Sequence, residues 1–280
     1  MNTTLISASE LLATMNAVTP PVVLDASFDL ADPGAGARSH AGAHVPGALY
    51  VHLDCDLAGP KTGTNGRHPL PARSDFAATA GRLGIAPGVQ VVAYDRQGGV
   101  YAARLWWMLR WLGHDPVAVL DGGVAAWQAA GGALTSEPSL PNVQPPYPER
   151  APLVTAIDVG ALAARLGRTP VIDARAPARF RGEVEPLDAV AGHIPGAVNR
   201  FYQDNLAADG RFKDKAQLRS AFEPLVGAGS ASEVVHQCGS GVTACHNLLA
   251  MEHAGLGGSL LYPGSWSEWC SDPERPLARG

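Results

Sequence analysis

One cysteine lies between a predicted strand and a predicted helix, a position where a thiol can act as a nucleophile. Cys238 follows the β-branched pair Val234-Val235, and a helical pattern runs from about residue 242 to residue 254. Unpaired amide N–H groups and the positive end of the dipole meet at a helix start, and both favour a thiolate over a thiol. We therefore expect Cys238 to be an ionised nucleophile that solvent can reach.

The segment after this cysteine is Gly239-Ser240-Gly241-Val242-Thr243-Ala244. Its two glycines let the backbone curl around the sulfur without a clash from a Cβ atom. Cysteine phosphatases also use an amide-lined cysteine loop, but they need an arginine six residues after the cysteine to bind phosphate. Ala244 occupies that position, which argues against a phosphatase.

The chain contains an internal repeat, and the repeat predicts two similar domains. Segments that recur in the same order are 22–26 with 170–174, 43–48 with 192–197, 91–95 with 234–238, and 122–127 with 264–269. Asp95 of the first copy aligns with Cys238 of the second. The proline-rich stretch 138–150 is a predicted extended linker. The predicted domains are therefore residues 1–137 and 151–280.

Each copy alternates short apolar runs with helical patterns, which indicates an α/β fold: a mainly parallel sheet with helices on both faces. The predicted helices are 7–15 with a capping box at Ser7, 74–83 capped by Ser74, 101–112, 124–130, and one capped by Thr155. The predicted strands are 22–24, 91–94, 117–120, 171–172, 233–237 and 260–261. Ligands of such sheets bind beyond the carboxyl ends of the strands, and Cys238 lies at such an end.

Composition excludes several classes of protein. The chain has 280 residues, of which 46% are hydrophobic, enough for a sizeable core. A net charge of −5 without basic runs gives no support for a nucleic-acid partner, and no apolar stretch is long enough to span a membrane. The four cysteines form no Cys-x-x-Cys pair, so we expect neither a disulfide framework nor zinc. Without a pattern typical of a secretory signal, the expected location is cytoplasmic.

Several motifs together resemble the tandem-domain rhodanese superfamily of sulfurtransferases. The Cys238 loop is similar to that of the 3-mercaptopyruvate sulfurtransferases in this family, and the segment 173–182 looks like the family's substrate-arginine motif. The paired His-(Val/Ile)-Pro-Gly-Ala segments and the closing Gly-Ser-Trp-Ser-Glu-Trp also fit. The resemblance covers nearly the whole chain. It implies a catalytic second domain and a catalytically silent first domain, in keeping with Asp95 at the cysteine position.

The resemblance implies a double-displacement reaction without a metal or organic cofactor. Cys238 would take sulfur from a donor as a persulfide, and a thiol such as thioredoxin, or cyanide, would remove it. The loop amides of Gly239, Gly241, Val242 and Thr243 would stabilise the anionic sulfur.

The resemblance also bears on the donor and on proton transfer. Arg179 would bind the carboxylate of mercaptopyruvate. The family's mercaptopyruvate enzymes carry a second arginine after a Glu-Pro pair, whereas Leu187 stands there in this chain, with Arg175 or Arg181 as candidate substitutes. Ser240, His68 and Asp54 would form a proton relay. Because His68 and Asp54 belong to the first copy, the site would use residues of both copies.

Two other functions remain open at this stage. Thiosulfate-preferring relatives carry basic side chains just after the cysteine, and Gly239 and Ser240 are neutral here, which favours mercaptopyruvate over thiosulfate as the donor. A non-catalytic binding module is the alternative outside enzymology. It is disfavoured because the second copy keeps both the cysteine and its glycines.

Overall fold

The computed structural model describes residues 1–280 and divides them into two compact units. The first unit comprises Met1–Ala58, Pro71–Leu153 and Ala208–Phe212, and the second comprises Gly59–Leu70, Val154–Ala207 and Lys213–Gly280. Each unit has its own five-stranded, all-parallel sheet with helices, so the predicted fold class is confirmed. A short segment of each sequence copy groups with the unit formed by the other copy.

The first unit builds its sheet in the order β1-β5-β4-β2-β3. Its strands are β1 (Leu5–Ile6), β2 (Val22–Asp25), β3 (Leu49–Tyr50), β4 (Val91–Tyr94) and β5 (Val117–Leu120). Its helices are α1 (Ala8–Thr14), α2 (Ala35–Gly42), α3 (Leu53–Asp56), α4 (Arg73–Arg82), α5 (Val100–Trp111) and α6 (Gly123–Ala129). Two tryptophans of α5, Trp106 and Trp107, are buried.

The second unit repeats this order as β6-β10-β9-β7-β8. Its strands are β6 (Thr155–Ala156), β7 (Val171–Asp173), β8 (Ala197–Asn199), β9 (Val235–Gln237) and β10 (Leu260–Leu261). Its helices are α7 (Val159–Ala163), α8 (Pro177–Phe180), α9 (Lys215–Val226), α10 (Thr243–His253) and α11 (Ser265–Trp269), with 3₁₀ turns at Tyr202–Asn205 and Ala231–Glu233.

The sheet of the second unit brings two functional segments to the same edge. The central strand β9 pairs in parallel with β7, so that Asp173 is opposite Gln237. Both strands end at these residues, and the chain leaves them at the same edge of the sheet. The segment that contains Arg175 and Arg179 therefore begins beside Cys238.

Two predicted helix caps are wrong. α4 begins at Arg73, one residue before Ser74, and Ala72 is the residue before the helix. Thr155 is not a cap because it pairs with Leu260 in the edge strand β6. The cap of α7 is Asp158, whose carboxylate accepts the Ala161 N–H at 2.7 Å. The capping box at Ser7 is confirmed.

The predicted linker has neither helix nor strand, but it is bound to the first unit. The N–H groups of Gln144 and Tyr147 donate to the carbonyls of Gly81 and Ala77 on α4, both at 2.9 Å. Tyr147 is buried. No helix in either unit is long and apolar enough to cross a membrane.

His236, in the middle of β9, should make the second unit sensitive to acid. Burial lowers the pKa of His236 to about 3, from an ordinary value of 6.5. As the pH falls from about 6.5 towards 3, the unfolded chain gains a proton at this residue that the folded chain does not, so the free energy of unfolding decreases. At about pH 4.5 the loss should be about 2–3 kcal/mol.

His236→Phe keeps an aromatic ring at this site and removes the titration. Urea unfolding of both proteins at neutral pH and at about pH 4.5 measures the difference. We expect the variant to lose less stability on acidification than the wild-type protein. An equal loss in both would show that His236 does not cause the acid sensitivity.

Candidate active site

Cys238 lies where the sequence places it, between the end of β9 at Gln237 and the start of α10 at Thr243. Its Sγ accepts the Gly241 N–H at 3.1 Å, and its own N–H donates to Ser265 Oγ at 3.1 Å. The loop is held further by α11, since the N–H groups of Trp266 and Ser267 donate to the carbonyls of Cys238 and Gly239. Cys238 is only 2% exposed, less than we expected for a nucleophile that solvent can reach.

Gly241 is required at its position for two reasons. Its φ of +76° lies in the left-handed region that favours glycine. A Cβ atom on this residue would also lie 2.4 Å from the Pro263 carbonyl oxygen, a backbone atom that cannot move aside easily. This conformation directs the Gly241 N–H at the sulfur.

Ser265 supports the nucleophile in a way that sequence reasoning missed. It has the one positive φ among the non-glycine residues, +54°, and its hydroxyl donates to the Tyr262 carbonyl at 2.9 Å. In the first copy the equivalent residue is Gly123, with a φ of +55°. A serine in place of that glycine adds the hydroxyl oxygen that accepts the Cys238 N–H. The repeat alignment could have revealed this change.

Ser240 and His68 are brought together although they are far apart in the sequence. His68 Nδ1 and Ser240 Oγ are 2.7 Å apart, and both residues are buried. The segment Gly59–Leu70, which carries His68, belongs to the second compact unit. Asp54 lies on α3 of the first unit, where its N–H donates to His52 Nδ1 at 3.1 Å, and its part in a relay stays a prediction.

Arg179 projects from α8 into a cluster of carboxylates. Its Nη2 donates to both Glu185 oxygens, at 2.7 and 2.9 Å, and to Asp188 Oδ2 at 3.3 Å. Arg67 binds the other Asp188 oxygen through Nη1. Arg67 was not among the predicted site residues. Its position immediately before His68 was the available signal.

The two arginines considered as substitutes at the site have other partners. Arg175 is buried, binds Asp173 through Nε and Nη2, and lies over the Trp266 ring. Arg181 is paired with Glu183 at the surface. Arg175 therefore stabilises the base of the cluster, and Arg181 lies outside it.

The equivalent loop of the first unit is filled by its own side chain. Asp95 is buried, and its carboxylate accepts four backbone N–H groups, at distances from 2.7 to 3.0 Å. The donors are Gln97, Gly99, Tyr101 and Ala102. The amides that would face a bound anion in such a loop are thus occupied by a carboxylate of the protein itself.

Removing this carboxylate should destabilise the first unit strongly. Asp95→Ala leaves three buried amide donors and one partly buried donor without an acceptor, and we expect the free energy of unfolding to fall by at least about 3 kcal/mol. Chemical denaturation measures the change, with the exposed Asp209→Ala as the matched control. An unfolding midpoint equal to that of the control would show that the Asp95 carboxylate does not stabilise the first unit.

A family comparison identifies the fold of both units. The model of the rhodanese-like domain matches residues 7–130 and again residues 158–272. The chain belongs to the rhodanese family. The predicted resemblance is confirmed. Each matched range contains four of the five strands of one sheet, and the edge strands β1 and β6 lie just before the ranges.

Three relatives show how far the similarity extends. A Pseudomonas aeruginosa protein named "Probable 3-mercaptopyruvate sulfurtransferase" is 49% identical over 265 residues, 92% of each chain. The mouse thiosulfate sulfurtransferase is 34% identical over 92% of this chain and 88% of its own. The structure of 3-mercaptopyruvate sulfurtransferase from Leishmania major aligns with a TM-score of 0.83 and 32% identity, covering 95% of this chain and 74% of that one.

Proposed function

We propose that this protein is a 3-mercaptopyruvate sulfurtransferase that works through a persulfide on Cys238. The reaction class, sulfur transfer, is confirmed by relatives with that activity in their names, aligned over most of the chain. One observation supports the assignment of the nucleophile: Cys238 Sγ accepts an amide N–H in a loop between a central parallel strand and a helix start. A thiolate in such a loop is stabilised by the amide and by the helix dipole.

The first half-reaction transfers one sulfur atom. The Cys238 thiolate attacks the donor sulfur, a sulfur–sulfur bond forms, and the carbon–sulfur bond of mercaptopyruvate breaks. The electron pair of that bond remains on carbon as the enolate of pyruvate, which then takes up a proton. The Ser240 hydroxyl, hydrogen-bonded to His68, is the proposed donor of that proton, and it takes a proton back through His68.

The environment of Gly239 supports mercaptopyruvate over thiosulfate. A Cβ atom on Gly239 would lie 2.8 Å from Arg67 Nη2 and 3.4 Å from Arg179 Nη1. The basic side chain that thiosulfate-preferring relatives carry there would have to displace the Arg67 guanidinium and would be repelled by its charge. The guanidinium groups beside this glycine suit a carboxylate.

The second half-reaction returns the thiolate. An acceptor thiolate attacks the outer sulfur of the persulfide, and the Cys238 thiolate leaves. A thiol such as thioredoxin, or cyanide, is the proposed acceptor.

The test is a comparison of donors on the same protein. We expect mercaptopyruvate to give a kcat/KM at least about tenfold higher than thiosulfate, which corresponds to about 1.4 kcal/mol of preferential transition-state binding. Sulfur release is measured with cyanide and with a dithiol as acceptors. A clear preference for thiosulfate would replace the proposed donor, and the absence of sulfur transfer from both donors would reject the proposed function.

A further inference from the structure

Leu187 cannot serve as the second carboxylate-binding residue, and the local backbone explains why. Glu185 Oε1 accepts the N–H groups of Leu187 and Asp188, at 3.0 and 3.2 Å. This turn leaves Leu187 45% exposed, whereas the Asp188 side chain is 5% exposed and faces the arginines. The side chain of residue 187 therefore offers no hydrogen-bond donor for a carboxylate in the site.

Arg67 lies where its guanidinium can supply this hydrogen-bond donor. Its Nη1 binds Asp188, and its Nη2 is the atom that a Cβ on Gly239 would meet at 2.8 Å. Arg179 binds Glu185 through Nε and Nη2, and its Nη1 and Nη2 would lie 3.4 and 3.5 Å from a Cβ atom on Gly239. Two guanidinium nitrogens from distant parts of the sequence thus converge beside the residue that follows the nucleophile.

We propose that Arg67 provides the second guanidinium for the donor's carboxylate, so that Arg67 and Arg179 together bind a small 2-oxo acid beside Gly239. This inference rests on the proposed function. Asp188 holds Arg67 through Nη1, and Glu185 holds Arg179 through Nε and Nη2, so the proposed carboxylate donors are Arg67 Nη2 and Arg179 Nη1. Both nitrogens lie within 3.4 Å of the point where a Cβ atom of Gly239 would stand, so one carboxylate beside this glycine can accept from both.

The charges of the cluster fit a monoanion. Arg67, Arg175 and Arg179 are paired with Asp173, Glu185 and Asp188, so three positive charges face three negative ones. A cluster that is neutral before the donor arrives tolerates one added negative charge better than two. The Arg67 and Arg179 side chains are 26% and 17% exposed, so a donor reaches them from solvent before it reaches the buried sulfur.

Kinetics of Arg67→Met test the inference. A hydrogen bond to a charged group contributes about 1.5–3 kcal/mol, so we expect KM for mercaptopyruvate to rise about 10- to 100-fold. Because the carboxylate is bound equally in the ground state and the transition state, kcat should stay within about threefold. Arg67→Lys keeps the positive charge but loses the two-pronged guanidinium geometry, so its KM should lie between those of the wild-type protein and Arg67→Met. Arg181→Met, which removes an arginine outside the cluster, is the matched control and should leave KM unchanged.

Alkylation of Cys238 gives a readout that does not depend on the donor. Iodoacetate carries a carboxylate and iodoacetamide does not, so the ratio of their rates reports carboxylate binding beside the sulfur. Peptide mapping restricts the measurement to Cys238. We expect Arg67→Met to lower the iodoacetate-to-iodoacetamide ratio about 10-fold or more, with the iodoacetamide rate nearly unchanged.

The possible results separate this inference from the proposed function. If the wild-type protein takes sulfur from mercaptopyruvate but Arg67→Met leaves KM and the alkylation ratio unchanged, the role of Arg67 is refuted while the function stands. A fall in kcat with an unchanged KM would also refute it, since that pattern marks a structural effect on the loop. If mercaptopyruvate is not a donor, the function fails, and the alkylation ratio still decides whether Arg67 guides a carboxylate.

Discussion

Cys238→Ser should lower the rate of sulfur transfer at least about 10³-fold with every donor, because the hydroxyl that replaces the thiol cannot form a persulfide. Intact-mass measurement after exposure to mercaptopyruvate should show a gain of one sulfur atom on the wild-type protein and none on the variant. The fold should persist, since serine is slightly smaller than cysteine, and the Cys238 N–H still donates to Ser265 Oγ.

Cys270→Ser is the matched control for this experiment. Cys270 is the C-cap of α11 in the same unit, and burial raises the pKa of its thiol, which keeps it protonated and weakly nucleophilic. This variant should gain sulfur and turn over like the wild-type protein. Uptake of sulfur by Cys238→Ser, or loss of sulfur uptake in Cys270→Ser, would show that Cys238 is not the nucleophile.

The position of the nucleophile could be predicted because its determinants are local. The β-branched pair Val234-Val235, the two glycines and the helical pattern after them all fall within about 20 residues, and short-range patterns of this kind determine strand and helix type. The repeat then extended this reading to the first unit, where β4 and α5 flank Asp95 as β9 and α10 flank Cys238.

The arginine cluster could not be predicted in the same way, because it depends on tertiary structure. Arg67 precedes Asp188 by 121 residues, and its contact arises only when Gly59–Leu70 packs into the second unit. The resemblance directed attention to residue 187 instead. Which face of the turn after Glu185 points into the site depends on two hydrogen bonds from backbone N–H groups to the Glu185 carboxylate, and no sequence periodicity reports them.

The predictions of two helix caps were wrong for a similar reason. Thr155 has the residue type of a cap, but a parallel partner, Leu260, is available more than 100 residues later, and strand pairing decides its structure. Local propensity offers several candidate cap residues close together in the sequence, and long-range strand pairing decides which of them can begin a helix. The same limit applies to Ser265, whose positive φ belongs to this turn of the fold rather than to its residue type, since Gly123 at the equivalent position has a φ of +55°.

Comparison of the two loops explains how a duplicated fold can lose its chemistry in one copy. In the first unit, four amides bind the Asp95 carboxylate, which has no sulfur to transfer. In the second unit, the cysteine leaves the Gly241 amide directed at a sulfur that can form a bond. The side chain at the cysteine position thus distinguishes a loop that binds a fixed carboxylate of the protein from a loop proposed to carry a reactive thiolate.

Ser240→Ala should slow the reaction with mercaptopyruvate but not with thiosulfate. The enolate left by mercaptopyruvate needs a proton, whereas the sulfite left by thiosulfate departs as a stable anion without one. Loss of a general acid typically costs about 10²-fold or more in kcat, so we expect about that decrease with mercaptopyruvate and less than about threefold with thiosulfate. The thiosulfate rate is the internal control, since a distorted Cys238 loop would slow both donors.

His68→Gln tests whether the serine acts alone. The 2.7 Å contact between His68 Nδ1 and Ser240 Oγ suggests that the two side chains work as one unit, so the double variant should be no slower than either single variant. Effects that multiply would show that each residue acts separately, and equal losses with both donors would assign the pair a structural role. Because both residues are buried, the proton they pass would come from this pair rather than from bulk water at the moment the carbon–sulfur bond breaks.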